Sequence, residues 1–176
     1  MPKKVLRLEA LGAVLAIVLG SALHFVFEWG GRQKLLALIA AVNESTWEHL
    51  KLGFWPILVW TIIEFMIFGS KYKNFIFAKA VSLITFCLSV VGIFYSYTAI
   101  LGRNYLVVDI LTFVVSVIIG YVIGYEILSI EKDLKLKNTG ILIIIFLIIM
   151  FVGFTYFPPI NFLFKDPVTG GYGIVR

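Results

Sequence analysis

An all-helical membrane protein with several spans is the fold class this sequence predicts, and three observations predict it. Of 176 residues, 61% are hydrophobic and only 14% are charged, where soluble domains run near half apolar and a quarter charged. Mean hydropathy is +1.02. The apolar residues fall into blocks as long as a bilayer is thick, separated by short polar breaks. A chain of this length cannot wrap so much apolar surface into an aqueous core, so its solvent is lipid. The composition argues against a soluble enzyme and a disordered tail, and against a disulfide scaffold because Cys87 has no second cysteine to pair with.

Crossing the hydrocarbon takes roughly 20 apolar residues in a helix. Five segments meet that length: residues 8–27, 47–68, 75–101, 105–128 and 141–157. Residues 1–20, with Lys3, Lys4 and Arg7 before an apolar stretch, have the outline of a signal peptide but are read as part of a retained first span. Residues 33–42 are apolar but number only ten, a reach of about 15 Å as a helix, so they predict a short interfacial or re-entrant helix. Both ends of that segment then lie at one membrane face. Pro158 and Pro159 end the fifth span, and residues 158–176 form a tail rich in turn formers. With no repeat or low-complexity linker, residues 1–176 read as a single integral membrane domain.

The net charge of +5 is spread in short basic stretches beside the spans, as in loops that face lipid headgroups. The expected partner is therefore the lipid bilayer and not nucleic acid. Nine Lys and Arg residues fall on the N-terminal side of a five-span arrangement and six on the other. The positive-inside rule then predicts a multi-pass protein of the cell membrane with a cytoplasmic N-terminus. Gly12, Ala16 and Gly20 form a stripe of small residues along the first span, which predicts close helix packing either within the chain or in a homo-oligomer.

Polar information is densest where the first span ends and the second begins. Ser21, His24 and Glu28 share one helical stripe, and the second span opens Asn43-Glu44-Ser45-Thr46-Trp47-Glu48-His49-Leu50-Lys51. His24, Glu28, Asn43, Glu44, Glu48 and His49 are thus candidate ligand-binding residues. His24, Glu28, Glu44 and His49 offer the mixed nitrogen and oxygen donors that suit a divalent metal ion. A structural reading stands beside this one. Ser45-Thr46-Trp47-Glu48 fits a helix capping box, Glu48 can pair with Lys51, and Glu28 can pair with Arg32 or Lys34. No H-E-x-x-H signature of zinc proteases is present.

A second set, Glu64, Lys79, Asp109 and Glu126, can serve a proton or ion relay, or can pair near helix ends to stabilise packing. Trp29, Trp47 and Trp55 read first as an interfacial aromatic belt.

Three strings, His24-Phe25-Val26-Phe27-Glu28-Trp29, Val42 to Lys51, and Phe164 to Ile174, resemble the motifs of DUF6512, a family of small prokaryotic integral membrane proteins of unknown function. The resemblance spans nearly the whole chain. It implies a multi-span helical protein and a shared outer-face site, without an activity. The function expected is a small binding or transport module with an outward-facing polar site for a cation or small polar ligand. Two alternatives are a metal-dependent intramembrane hydrolase acting on a lipid-like substrate, with Glu44 or Glu48 as base, and a structural or partner-binding membrane protein.

Overall fold

A computed structural model describes residues 2–174. Met1, Val175 and Arg176, and with them one base of the charge count and the end of the 158–176 tail, lie outside the described residues. Five helices follow one another: α1 (Lys3–Trp29), α2 (Thr46–Ile67), α3 (Phe75–Leu101), α4 (Leu106–Leu128) and α5 (Lys137–Tyr156). All five are long and apolar enough to cross a membrane. No strand is present among the described residues beyond one isolated bridge, Lys165 to Tyr172.

Helix α1 begins five residues before the expected span because Lys3, Lys4 and Arg7 are good helix formers that need not sit in the hydrocarbon. The 33–42 segment is not a continuous short helix: it holds one 3₁₀ turn, Leu36–Leu38, set among turns and bends. Gly31 and Arg32 adopt φ of +68° and +57° and reverse the chain after α1. Ala37 and Ala40 then bury against Phe27, so the turn plugs the end of the bundle.

Small residues set how closely the helices approach. A Cβ on Gly12 would fall 2.2 Å from the Trp60 ring, and one on Gly20 would fall 2.6 Å from the Leu52 carbonyl oxygen. The Gly12, Ala16 and Gly20 stripe is therefore buried within the chain, against α2 and α4. Pro56 has no N–H to give Leu52, four residues earlier, and this freed carbonyl is the one that lies against Gly20. On α4, Gly120 and Gly124 let the helix backbone approach Ser82 and Ala78 of α3 in the same way.

The core is aromatic. Phe54 and Phe151 have ring centroids 4.3 Å apart, and Trp47 stacks on Phe151 and packs at a tilt on Phe164, at 4.7 Å each. Trp47 is thus a core residue, 6% exposed, whereas Trp29 is 74% exposed and fits the belt. The outward faces carry Val18, Ile62, Leu88, Val107 and Ile149, all exposed, which only a lipid solvent accommodates.

Candidate metal centre

Three elements position the site. His24 comes from the last turns of α1, Glu44 from the loop that returns to α2, and His49 from the first turn of α2. Oε2 of Glu44 lies 3.5 Å from Nε2 of His24 and 3.5 Å from Nε2 of His49. The two imidazole centroids are 5.3 Å apart, and one donor atom from each of the three side chains falls within 4.8 Å of the others. All three remain partly open to solvent.

Local chemistry aims these donors. Nδ1 of His49 lies 2.9 Å from the Ser45 carbonyl, an oxygen that only accepts, so Nδ1 carries the proton and Nε2 presents its lone pair to the Glu44 carboxylate. Two electron-rich atoms facing each other call for a positive charge nearby, whether a proton carried by His49 or by His24 on the same oxygen, or a cation. A backbone bond to the far nitrogen is also how ligating histidines are oriented. Two ligands each about 2.05 Å from zinc at a tetrahedral angle are about 3.3 Å apart, close to the two His-to-Glu distances. His24 beside it holds the Glu44 carboxyl below its ordinary range, against the opposing effect of burial, so Glu44 stays an anion.

The other expected residues go elsewhere. Glu28 turns away to Arg32, with Nη2 to Oε1 at 2.8 Å and Nε to the same carboxylate at 2.9 Å, both side chains more than half exposed. Glu48 is buried, 2.6 Å from Nζ of Lys51, and accepts the Val42 N–H at 2.9 Å. Half of the capping box forms: Ser45 Oγ accepts from the Glu48 N–H, while the Ser45 N–H goes to Asn43 Oδ1 rather than to Glu48. Lys51 completes its shell with the Ala37 carbonyl at 2.7 Å and Thr155 Oγ1 at 3.2 Å, which ties the α1–α2 connection and α5 to α2.

Asn43 holds the tail. Its Nδ2 donates to the Gly173 carbonyl at 2.8 Å, the Trp47 N–H donates to the Leu163 carbonyl at 3.0 Å, and Phe164 is buried beside Trp47. Asp166 closes the tail's turn. Burial raises its carboxyl, but the Thr169 hydroxyl and the N–H groups of Val168 and Thr169 outweigh that and hold it below the ordinary range. The tail thereby braces the loop that carries Glu44.

Two members of the second polar set gain partners that the sequence did not reveal. Asp109 accepts from the Tyr97 hydroxyl and, at 3.0 Å, from Asn104 Nδ2, a local network on the α3–α4 connection. Glu9 joins Lys79 and Glu64 in the interior; an acid inside an otherwise apolar stretch of α1 was the signal available for it.

Residues 3–174 match the model of a family described as a family of unknown function, DUF6512. No curated protein and no solved structure matches the chain.

Proposed function

The chain belongs to DUF6512, a family of unknown function, and from that premise we propose that it is a membrane-embedded binding module for a divalent transition-metal ion of the zinc class. His24, Glu44 and His49 are its ligands. The observation that carries this reading is the single carboxylate oxygen of Glu44 standing 3.5 Å from both imidazole Nε2 atoms, with the far nitrogen of His49 already bonded to Ser45. Three protein ligands leave a fourth position for water, a passing ligand or transfer of the ion. Binding is favoured over hydrolysis because Glu48 is committed to Lys51 and Val42, and Glu44 is itself a ligand, so neither of the two carboxylates expected as base is free for that role.

The site faces outward in this reading. With Lys51 and Lys79 buried and Arg176 set aside, eight basic residues remain on the N-terminal side and four on the other, which supports a cytoplasmic N-terminus.

Equilibrium dialysis of the detergent-purified protein against zinc or cobalt, followed by elemental analysis, tests the proposal. One ion per chain, with a tetrahedral cobalt spectrum that His49→Ala removes, is the result expected. Uptake that is absent, or that survives the loss of both histidines, overturns it.

A further inference from the structure

In the half of the bundle remote from the histidines, three charged side chains from three helices meet out of reach of water. Lys79 of α3 places Nζ 2.7 and 2.6 Å from the two carboxylate oxygens of Glu9 on α1 and 2.5 Å from Oε2 of Glu64 on α2. Lys79 is 2% exposed, Glu9 3% and Glu64 0%. The sequence offered Glu64 and Lys79 either as part of a proton or ion relay or as a pair that stabilises packing; Glu9, as third member, changes the charge balance. Two carboxylates and one ammonium sum to one net negative charge, and an uncompensated charge buried this deeply is strongly unfavourable. One proton makes the group neutral.

Geometry also selects where that proton sits. Nζ of Lys79 donates to both oxygens of Glu9, which are thereby satisfied, and stands 2.5 Å from Oε2 of Glu64 as an ion-pair contact without a hydrogen bond. Neither carboxylate oxygen of Glu64 has a protein hydrogen-bond partner among the described residues, and neither has the buried hydroxyl of Tyr121 on α4; Oε2 faces the Lys79 ammonium, which leaves Oε1 for the proton. The Tyr121 ring lies 5.3 Å from Nζ of Lys79 and its hydroxyl rests over Gly12, one turn along α1 from Glu9. The titratable groups facing the centre are therefore Glu9 from α1, Glu64 from α2, Lys79 from α3 and Tyr121 from α4.

We propose that Glu9, Lys79 and Glu64 form a proton-binding site inside the bundle, with the bound proton on Oε1 of Glu64. Proton binding here adds one proton to a carboxylate and changes no other bond. The site is separate from the histidine cluster: Glu64 and His49 are 15 residues apart on α2, about 22 Å along the helix axis.

Infrared spectroscopy of the full chain in lipid, in sodium-free buffer near neutral pH, reads the proton directly as the carbonyl stretch of a protonated carboxylic acid. The wild type should show this band, with the small downshift in heavy water that marks an acid proton. Glu64→Gln should lose it. Glu9→Gln should lose it too, because Glu64 then balances Lys79 as an anion; a role in packing alone does not predict that second loss. No band in the wild type overturns the proposal without recourse to any variant. So does a band that persists in Glu64→Gln, or one that sodium abolishes, which would make the occupant a metal cation.

Discussion

Nε2 of His49 and Oε2 of Glu44 stand 3.5 Å apart while the other nitrogen of the same imidazole is bonded to Ser45 at 2.9 Å. The ring is therefore fixed in orientation, and in its neutral form Nε2 turns a lone pair towards the carboxylate. Loss of an outer-shell partner typically weakens a metal site about 10–100-fold, and loss of a ligand weakens it more. His49→Ala and His24→Ala should each weaken cobalt binding by more than about 100-fold, read by titration of the cobalt absorption band. Glu28→Gln should leave the titration unchanged, since Glu28 is occupied by Arg32 at the surface.

Acid should release the metal, and the sign follows from the ligands. A metal displaces protons from imidazole, so affinity should fall as the pH drops through the histidine range. Glu44 is held below the ordinary carboxylate range by His24 and remains ionised throughout that fall. Its depressed folded value means that its contribution to stability is present above the unfolded value and is lost only as pH falls through the folded one. Glu44→Gln should thus weaken binding at neutral pH and should also flatten the metal-free stability profile at the acid end, measured by thermal unfolding in detergent.

Lys51 and Glu48 form a buried pair 2.6 Å apart. Removing one partner leaves an uncompensated charge, so Lys51→Met should cost about 3–5 kcal/mol. The double change Lys51→Met with Glu48→Gln should recover much of that loss. Denaturant or thermal unfolding of the three variants, compared as a cycle, measures the coupling.

Two glycines should respond in opposite directions. Gly20→Ala sets a methyl 2.6 Å from a backbone oxygen that cannot move aside, and overpacking of this kind costs about 1–3 kcal/mol. A Cβ on Gly92 of α3 meets nothing within 4 Å, so Gly92→Ala should stabilise the helix by about 0.5–1 kcal/mol. Melting temperatures of the two variants in one detergent decide the matter.

The tail's anchorage at Asn43 is also open to test. Asn43→Ala removes the bond to the Gly173 carbonyl and the bond from the Ser45 N–H, a loss of about 1–2 kcal/mol. Limited proteolysis should then cut residues 158–174 sooner than in the wild type, while the five helices stay protected.

The sequence carried the helices well because membrane spans are set by length and polarity along the chain: α3 coincides with its predicted limits, and α2 and α4 differ from theirs by one residue at one end or at both. At the site it carried residue types but not partners. His24, Glu28, Glu44, Glu48 and His49 all fell at one depth, yet only three of the five converge. Which carboxylate meets the imidazoles depends on the 3₁₀ turn and on Lys51, whose buried ammonium claims Glu48. Arg32, just past the end of α1, likewise claims Glu28.

By itself the sequence determined the solvent, the number of spans and the membrane edge where polar chemistry collects, because lipid accepts only long apolar helices and concentrates charge at their ends. Tertiary structure alone decided that Glu44 is shared by His24 and His49, and that Glu9 joins Glu64 around Lys79. Those groupings arise from α1 and α2 being drawn together through Gly12 and Gly20, and α2 and α3 through Gly53, where a Cβ would fall 2.2 Å from the Phe86 ring. A buried charge takes whichever partner packing brings within hydrogen-bond reach, and that reach is a property of the folded bundle rather than of spacing along the chain.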